Sequence, residues 1–318
     1  MKKATNRIFA ILLACLLLCG ILPLAVSAAD PVDITESFTD LGFRASVYRC
    51  IGKSDSERIY DTDVAEVTTL VVGDNYSSAH NLNGLMHFKN LESLDCSYNY
   101  LTDISELPAG LKSLKCTYNG LNRISAALPA GLEHLDCSYN GLTSLPALPN
   151  SLVELVCRQN ALTSLPALPS GLKELDCGIN KLITLPALPS SLTTLMCELN
   201  QLASLPALPS GLVFLDCGSN KLKSLPALPT GLKSLYCGDN QLTGINVTGL
   251  SLDVLSCVKN NMASTADVVG FTGVWDGFNF RFDPQNSPAE PEPPSFLSAI
   301  MQFILKYLLF GWLWMNWF

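Results

Sequence analysis

Histidine is nearly missing from this 318-residue chain: three occur, at His80, His87 and His134. There is no H-E-x-x-H, no glycine-rich phosphate loop and no paired C-x-x-C, so the common zinc and nucleotide sites have nothing to build from. Positive charge is scarce too. Twenty Lys and Arg face 28 Asp and Glu, with no basic run and no basic patch interleaved with aromatics. Phosphate backbones would repel such a surface, which excludes nucleic acid as a partner. Catalytic constellations are equally thin. Ser, His and Asp occur mostly at repeat positions, and His134 beside Asp136 is an ordinary surface placement. The expectation is a protein that is not an enzyme and needs no cofactor or metal.

What is present begins with a leader. Residues 1–28 carry a basic start, an apolar run and small residues at Val26-Ser27-Ala28. That is the layout of a secretory signal peptide, cut after Ala28 or Ala29. Leu12-Leu13-Ala14-Cys15 offers a lipoprotein box as a rival, but the apolar run continues past Cys15. Losing Lys2, Lys3 and Arg7 leaves 17 basic against 28 acidic residues, a charge near −11. The chain is expected outside the cytoplasm, secreted or on the outer face of the cell envelope.

A periodic frame then dominates the chain. Cysteines fall at Cys96, Cys116, Cys137, Cys157, Cys177, Cys197, Cys217, Cys237 and Cys257, in steps of 20 with a single 21. Each lies in Leu-x-x-Leu-x-Cys-x-x-Asn-x-Leu, with Met262 for the final Leu in the last copy, and the asparagines are Asn99, Asn119, Asn140, Asn160, Asn180, Asn200, Asn220, Asn240 and Asn260. Val67, Leu70 and Val72 begin a cruder copy ahead of them. Leu175 and Cys177 alternate with Glu174 and Asp176, which is the period of a strand with one buried face. One copy cannot bury that face alone, so successive copies stack with parallel strands about 4.8 Å apart. Each asparagine sits where the chain leaves its strand, placed to satisfy backbone groups in its own turn and the neighbouring one. The return path, LPALP at 165–169, 185–189, 205–209 and 225–229, denies both helix and ladder and favours polyproline II.

This frame resembles the leucine-rich repeat, with cysteine at a position usually held by leucine. The resemblance covers roughly residues 38 to 283. It implies an α/β-type repeat solenoid with a parallel sheet on the concave face, a polyproline II or irregular convex face and a short N-terminal helical cap. The 20-residue LPxLP version is similar to repeats of secreted bacterial effectors, including those with a ubiquitin ligase domain. The cysteine column and entry segment are more similar to internalin-type surface proteins of Gram-positive bacteria. The ligase part does not carry over, because no cysteine follows Cys257.

Cysteine is among the most buried residue types and serves as a small hydrophobe. On neighbouring parallel strands the thiols are close enough for disulfides, but their Cβ atoms point the same way. A column of reduced thiols is the favoured reading, with scattered disulfides the alternative.

Both ends and a tail complete the organisation. Residues 29–66 form the N-terminal cap, where TDLGFRASVYRCI at 39–51 sets Phe43, Val47, Cys50 and Ile51 on one helical face. The solenoid spans 67–283. It ends at FNFRF, with Phe278, Phe280 and Phe282 on one face of a closing strand and Trp275 nearby. Residues 284–295 are an acidic, proline-rich linker. Residues 296–318 are a hydrophobic tail, about 34 Å long as a helix and enough to cross a bilayer. Ser298, Gln302 and Lys306 give it a polar stripe. Membrane attachment is the expectation, with spanning and lying flat both open and the oligomeric state unspecified.

Function is expected on the concave face. The residues before the cysteines include Asp95, Asp136, Asp176 and Asp216 on every second rung, with Val156, Met196 and Tyr236 between some of them. Alternation relieves repulsion between stacked carboxylates, and it equally spaces a row of them for a periodic or cationic ligand. Tyr98, Tyr118 and Tyr139 form a column suited to recognition, and Val156, Met196, Phe214 and Tyr236 an apolar patch. The partner is expected to be a protein or a glycan, bound without catalysis. The alternative is an assembly component that oligomerises through its tail.

Overall fold

The structure is a computed structural model describing residues 30–73 and 78–286. The leader, nearly all of the linker and the hydrophobic tail lie outside the described residues. Each copy of the frame makes one coil. Its central Leu-containing triplet is a strand, as at Glu174–Asp176, with the leucine pointing inward and its neighbours to the other face. Leu155, Leu175 and Leu195 stand opposite one another on consecutive parallel strands. Among the described residues this register builds an eleven-stranded sheet from Thr69–Val71 to Phe280–Arg281. Leu172, Leu175, Leu182 and Cys177 are fully buried against the next coil. Each such leucine contributes about 1.5–3 kcal/mol relative to exposure, a gain no isolated coil can collect.

The asparagines close the corner after each strand. Asn180 Nδ2 donates to the carbonyls of Cys157 at 3.0 Å, Cys177 at 3.1 Å and Gly178 at 3.2 Å, while its Oδ1 accepts from the Leu162 N–H at 3.0 Å. The same four-bond set recurs from Asn99 to Asn260. Every amide therefore ties its own coil to the one before it.

On the back, the LPALP segments form no ladder, because proline lacks the donor. Where the first proline of the segment is missing, short second ladders appear: Asp103–Ile104 pairs with Arg123–Ile124, and Ile245–Asn246 with Val268–Val269. The 21-residue step is absorbed on that same side, between Leu121 and Leu132.

A helix, Leu41–Ile51, covers the first strand, its N-terminus capped by Asp40 accepting from the Phe43 N–H at 2.8 Å. Gly42 lets it approach closely, since a Cβ there would sit 2.4 Å from the Ser78 carbonyl oxygen. Phe43 and Val47 are buried, but Cys50 is exposed, contrary to the expected face. The buried side turns toward Ser46 and Tyr48 instead. Tyr48 donates its hydroxyl to the Glu57 carbonyl at 2.8 Å, leaving Cys50 at the open edge beside Thr69.

At the far end Phe280 stands opposite Leu255 and Phe282 is buried where a cysteine would be. Phe278 does not join them and is 85% exposed. Asp276 accepts from the N–H groups of Phe278 and Phe280, making a turn that delays the strand until Phe280. Gln285, three residues after Phe282, donates to the Cys257 carbonyl at 3.0 Å and so acts as one more ladder amide.

The cysteine thiols of the ladder are free and buried. Burial pushes them up, Cys137 and Cys257 to about 12, which removes the thiolate that disulfide exchange requires.

Two outcomes follow. Replacing Asn180 with Ala strands buried backbone groups and should cost about 2–4 kcal/mol in chemical denaturation, whereas a loss under about 0.5 kcal/mol would make the amide dispensable. A thiol reagent should find Cys50 alone in the native protein without its leader, and the ladder sulfhydryls only after unfolding without reductant. A deficit after unfolding would mean an oxidised ladder.

Candidate functional site

The strand residues that flank each buried leucine and point away from the core make two rows along the concave face. Register places Asp95, Lys115, Asp136, Val156, Asp176, Met196, Asp216 and Tyr236 on consecutive strands. The expected candidates are thus brought together, with Phe214 one row over and 5.6 Å from the Tyr236 ring.

Tyr98, Tyr118 and Tyr139 stack as a column on the corner beside this face. Ring centroids are 4.8 and 4.1 Å apart and the planes within 10° of parallel. Tyr98 is 70% and Tyr118 44% exposed. Their backbones take φ of 58°, 51° and 55° because the next residue is the ladder asparagine, which bends the chain inward. Partial desolvation and then the hydrogen bond with Tyr139 raise the Tyr118 phenol above its ordinary value. Tyr98 also walls a groove of about 470 Å³, with Val71, Asp95, Lys115, Thr117 and Asp136. A hollow of equal volume on the opposite side, lined by Leu225, Pro226 and Ile245, offers little chemistry.

The middle of the face differs. His134 Nδ1 meets Glu154 Oε2 at 2.8 Å, and Glu154 faces Glu174 on the next strand. Arg158 reaches across a neighbouring coil to pair with Glu198, with Asp176 Oδ1 3.5 Å from its guanidinium. Gly178 makes room for this arch: a Cβ there would lie 2.8 Å from both Arg158 and Glu198. Asp176 consequently is only 7% exposed, not the open carboxylate expected of it. Burial works against the Arg158 charge, but Glu198 and Asp176 outweigh it and hold the proton tightly. Burial also raises Asp176 and Glu174 above the usual carboxylate range, with Glu154 adding repulsion at Glu174. Asp216, desolvated and repelled by Glu198, is pushed up to about 6. Arg158, Gly178 and Glu198 are not among the residues expected from the sequence, since they follow the cysteines, where the residue type changes from coil to coil without a period.

Among the described residues no group of three His, Cys, Asp or Glu is placed to hold a metal ion. His134 is exposed, its Nδ1 engaged with Glu154 rather than with a nucleophile. The arrangement can present charge, hydroxyls and aromatic area to a ligand.

A family model described as Leucine Rich Repeat matches residues 90–114. Among solved structures, YopM from Yersinia enterocolitica WA-314 is 39% identical with a TM-score of 0.54, over 55% of this chain and 39% of its own. YopM from Yersinia pestis, a leucine-rich effector protein, is 30% identical with a TM-score of 0.55, over 70% of this chain and 60% of its own. InlJ from Listeria monocytogenes, whose functional domain includes a cysteine ladder, is 26% identical with a TM-score of 0.57, over 73% of this chain and 58% of its own. This chain covers less than two thirds of each of these proteins. No curated protein matches it.

The raised Asp216 value has a sign that melting curves can read. Its neutral form is favoured on folding, so its contribution is complete below about pH 4 and is lost as pH rises through about 6. Asp216→Asn retains an acceptor for the Gly218 N–H. The variant should melt above wild type beyond pH 7, with the gap closing as pH falls toward 4. Equal melting temperatures across that range would remove the desolvated carboxylate.

Proposed function

We propose that this chain, which belongs to the leucine-rich-repeat proteins of bacteria, binds a partner along its concave face and performs no chemistry there. The carrying observation is the tyrosine column. Three stacked rings, two of them exposed and Tyr139 half-buried, form a rigid, amphipathic platform that loses little entropy on binding. The core does not need them, because the leucines and cysteines already fill it. The adjoining groove, with Asp95, Lys115 and Asp136, supplies hydrogen bonding and charge. A protein partner agrees with the coarse expectation for repeat scaffolds, whose stacked coils provide surface rather than catalytic groups.

Export and attachment to the envelope belong to the same reading. They are supported by the leader-like residues 1–28 and the apolar residues 296–318 of the sequence. No helix among the described residues is long and apolar enough to cross a membrane.

The test uses the full chain against a panel of displayed bacterial and host surface proteins and glycans. Every binder is then measured again with the Tyr98→Ser/Tyr118→Ser/Tyr139→Ser variant. Affinity should fall at least tenfold, about 1.4 kcal/mol, while the melting temperature holds. Binders that all survive the variant at full affinity would place recognition elsewhere and end this reading.

A further inference from the structure

The corner residue before each ladder asparagine has positive φ in every coil, between 51° and 58° from Tyr98 to Lys259. Asn, Asp and Gly enter this region most easily, and a β-branched residue pays the largest strain. The last three coils use Ser219, Asp239 and Lys259. The six before them hold Tyr98, Tyr118, Tyr139, Gln159, Ile179 and Leu199. Ile179 is β-branched at φ 52°, and Leu199 is 47% exposed. Strained backbone and apolar side chains thus coincide along five strand spacings, about 24 Å, with Tyr98, Tyr118 and Leu199 exposed, Tyr139 and Ile179 half-buried and Gln159 the one polar member. Neither the core nor the turn asks for them, and an apolar ridge of this kind marks a contact surface.

Beside the ridge the floor is acidic. Asp136, Glu154, Glu174, Asp176, Glu198 and Asp216 lie on neighbouring coils, with Arg158 paired to Glu198 beside Asp176 and His134 held to Glu154. Glu198 Oε2 is buried with no hydrogen-bond donor among the described residues. Ridge and floor adjoin: Tyr98 walls the same groove as Asp95 and Asp136, and Tyr139 lies near enough to Arg158 to influence its charge.

The sheet face offers side chains only, since its backbone groups are spent in the ladder. A segment lying across it has to satisfy its own peptide groups, as a helix does and a single extended strand does not. Three-residue strands give a floor about 10 Å wide, close to a helix diameter. A 24 Å ridge matches about 16 helical residues at about 1.5 Å each. The floor charge selects the sign of what crosses it.

We propose that the partner engages this surface with a basic amphipathic α-helix, its apolar stripe on the Tyr98–Leu199 ridge and its Lys and Arg over the carboxylates. The assignment rests on the concave-face reading above and specifies its partner.

Three synthetic 16-residue peptides test it against the full chain by fluorescence anisotropy. One sets leucines at i, i+3, i+4 and i+7 among lysines, one replaces lysine with glutamate, and one breaks the lysine form with a central proline. The lysine helix should bind. Ile179→Ser/Leu199→Ser and Glu154→Gln/Glu174→Gln should each weaken it about tenfold, and the broken and acidic peptides should bind at least tenfold more weakly to wild type. Ser219 already occupies the same corner at φ 51°, so serine is compatible with the fold, and melting temperatures verify that. Absent binding of the lysine helix, equal binding of the broken or acidic peptide, or indifference to both double variants would overturn the proposal. If the surface panel yields only glycans or extended segments that the tyrosine variant abolishes, the helix is wrong while concave-face binding stands. Binders untouched by the tyrosine variant defeat the broader reading instead.

Discussion

Peptide groups at the corner after each strand lie inside the coil, where water does not compensate them, and one asparagine amide meets that need. Asn180 ties carbonyls of two successive coils and takes the N–H of Leu162. Because these bonds run between coils, no coil is satisfied without a neighbour, and the leucine faces are shielded by the same act of stacking. The inward turn also forces the preceding residue into positive φ, with its side chain outside. The constraint that holds the solenoid together is therefore also what builds the tyrosine column and the ridge.

The cysteine row is a matter of size and polarity. A thiol fills the narrow space after the strand, asks for no hydrogen bond partner as a hydroxyl would, and becomes inert when buried. The closing coil shows the converse. With no regular coil beyond it, Phe280 and Phe282 replace leucine and cysteine, and Gln285 stretches to reach the Cys257 carbonyl that an asparagine would serve. The larger groups cover an end that small ones would leave open.

Periodicity made the register, the inward rows and the candidate row on the concave face readable from residue spacing, because the spacing itself is the physical cause. Asp176 shows where that stops. Its burial depends on Arg158, Gly178 and Glu198 in three different coils, at a position whose residue type follows no period. Cys50 fits a helical face by spacing, yet Tyr48 wins the buried side through its hydroxyl bond to Glu57. Phe278 alternates correctly with Phe280 and Phe282 but lies in the Asp276 turn. In each case a single hydrogen bond or one missing side chain overrides the pattern, and neither leaves a periodic trace.

The charge on the concave floor is harder to explain as structure than the rows beneath it. Alternating Asp with Val, Met or Tyr separates carboxylates along the central row and relieves their repulsion. Glu154, Glu174 and Glu198 undo that relief from adjacent positions, with Arg158 paired to Glu198, His134 to Glu154 and Glu174 left repelled by Glu154 and Asp176. Folding gains nothing from a desolvated carboxylate such as Asp216, since burial disfavours its charged form. A surface that keeps such groups beside strained, largely apolar corners is shaped by what it meets: cationic groups would relieve the repulsion and apolar contact would cover the ridge, and both are supplied together by a segment that is basic on one side and apolar on the other.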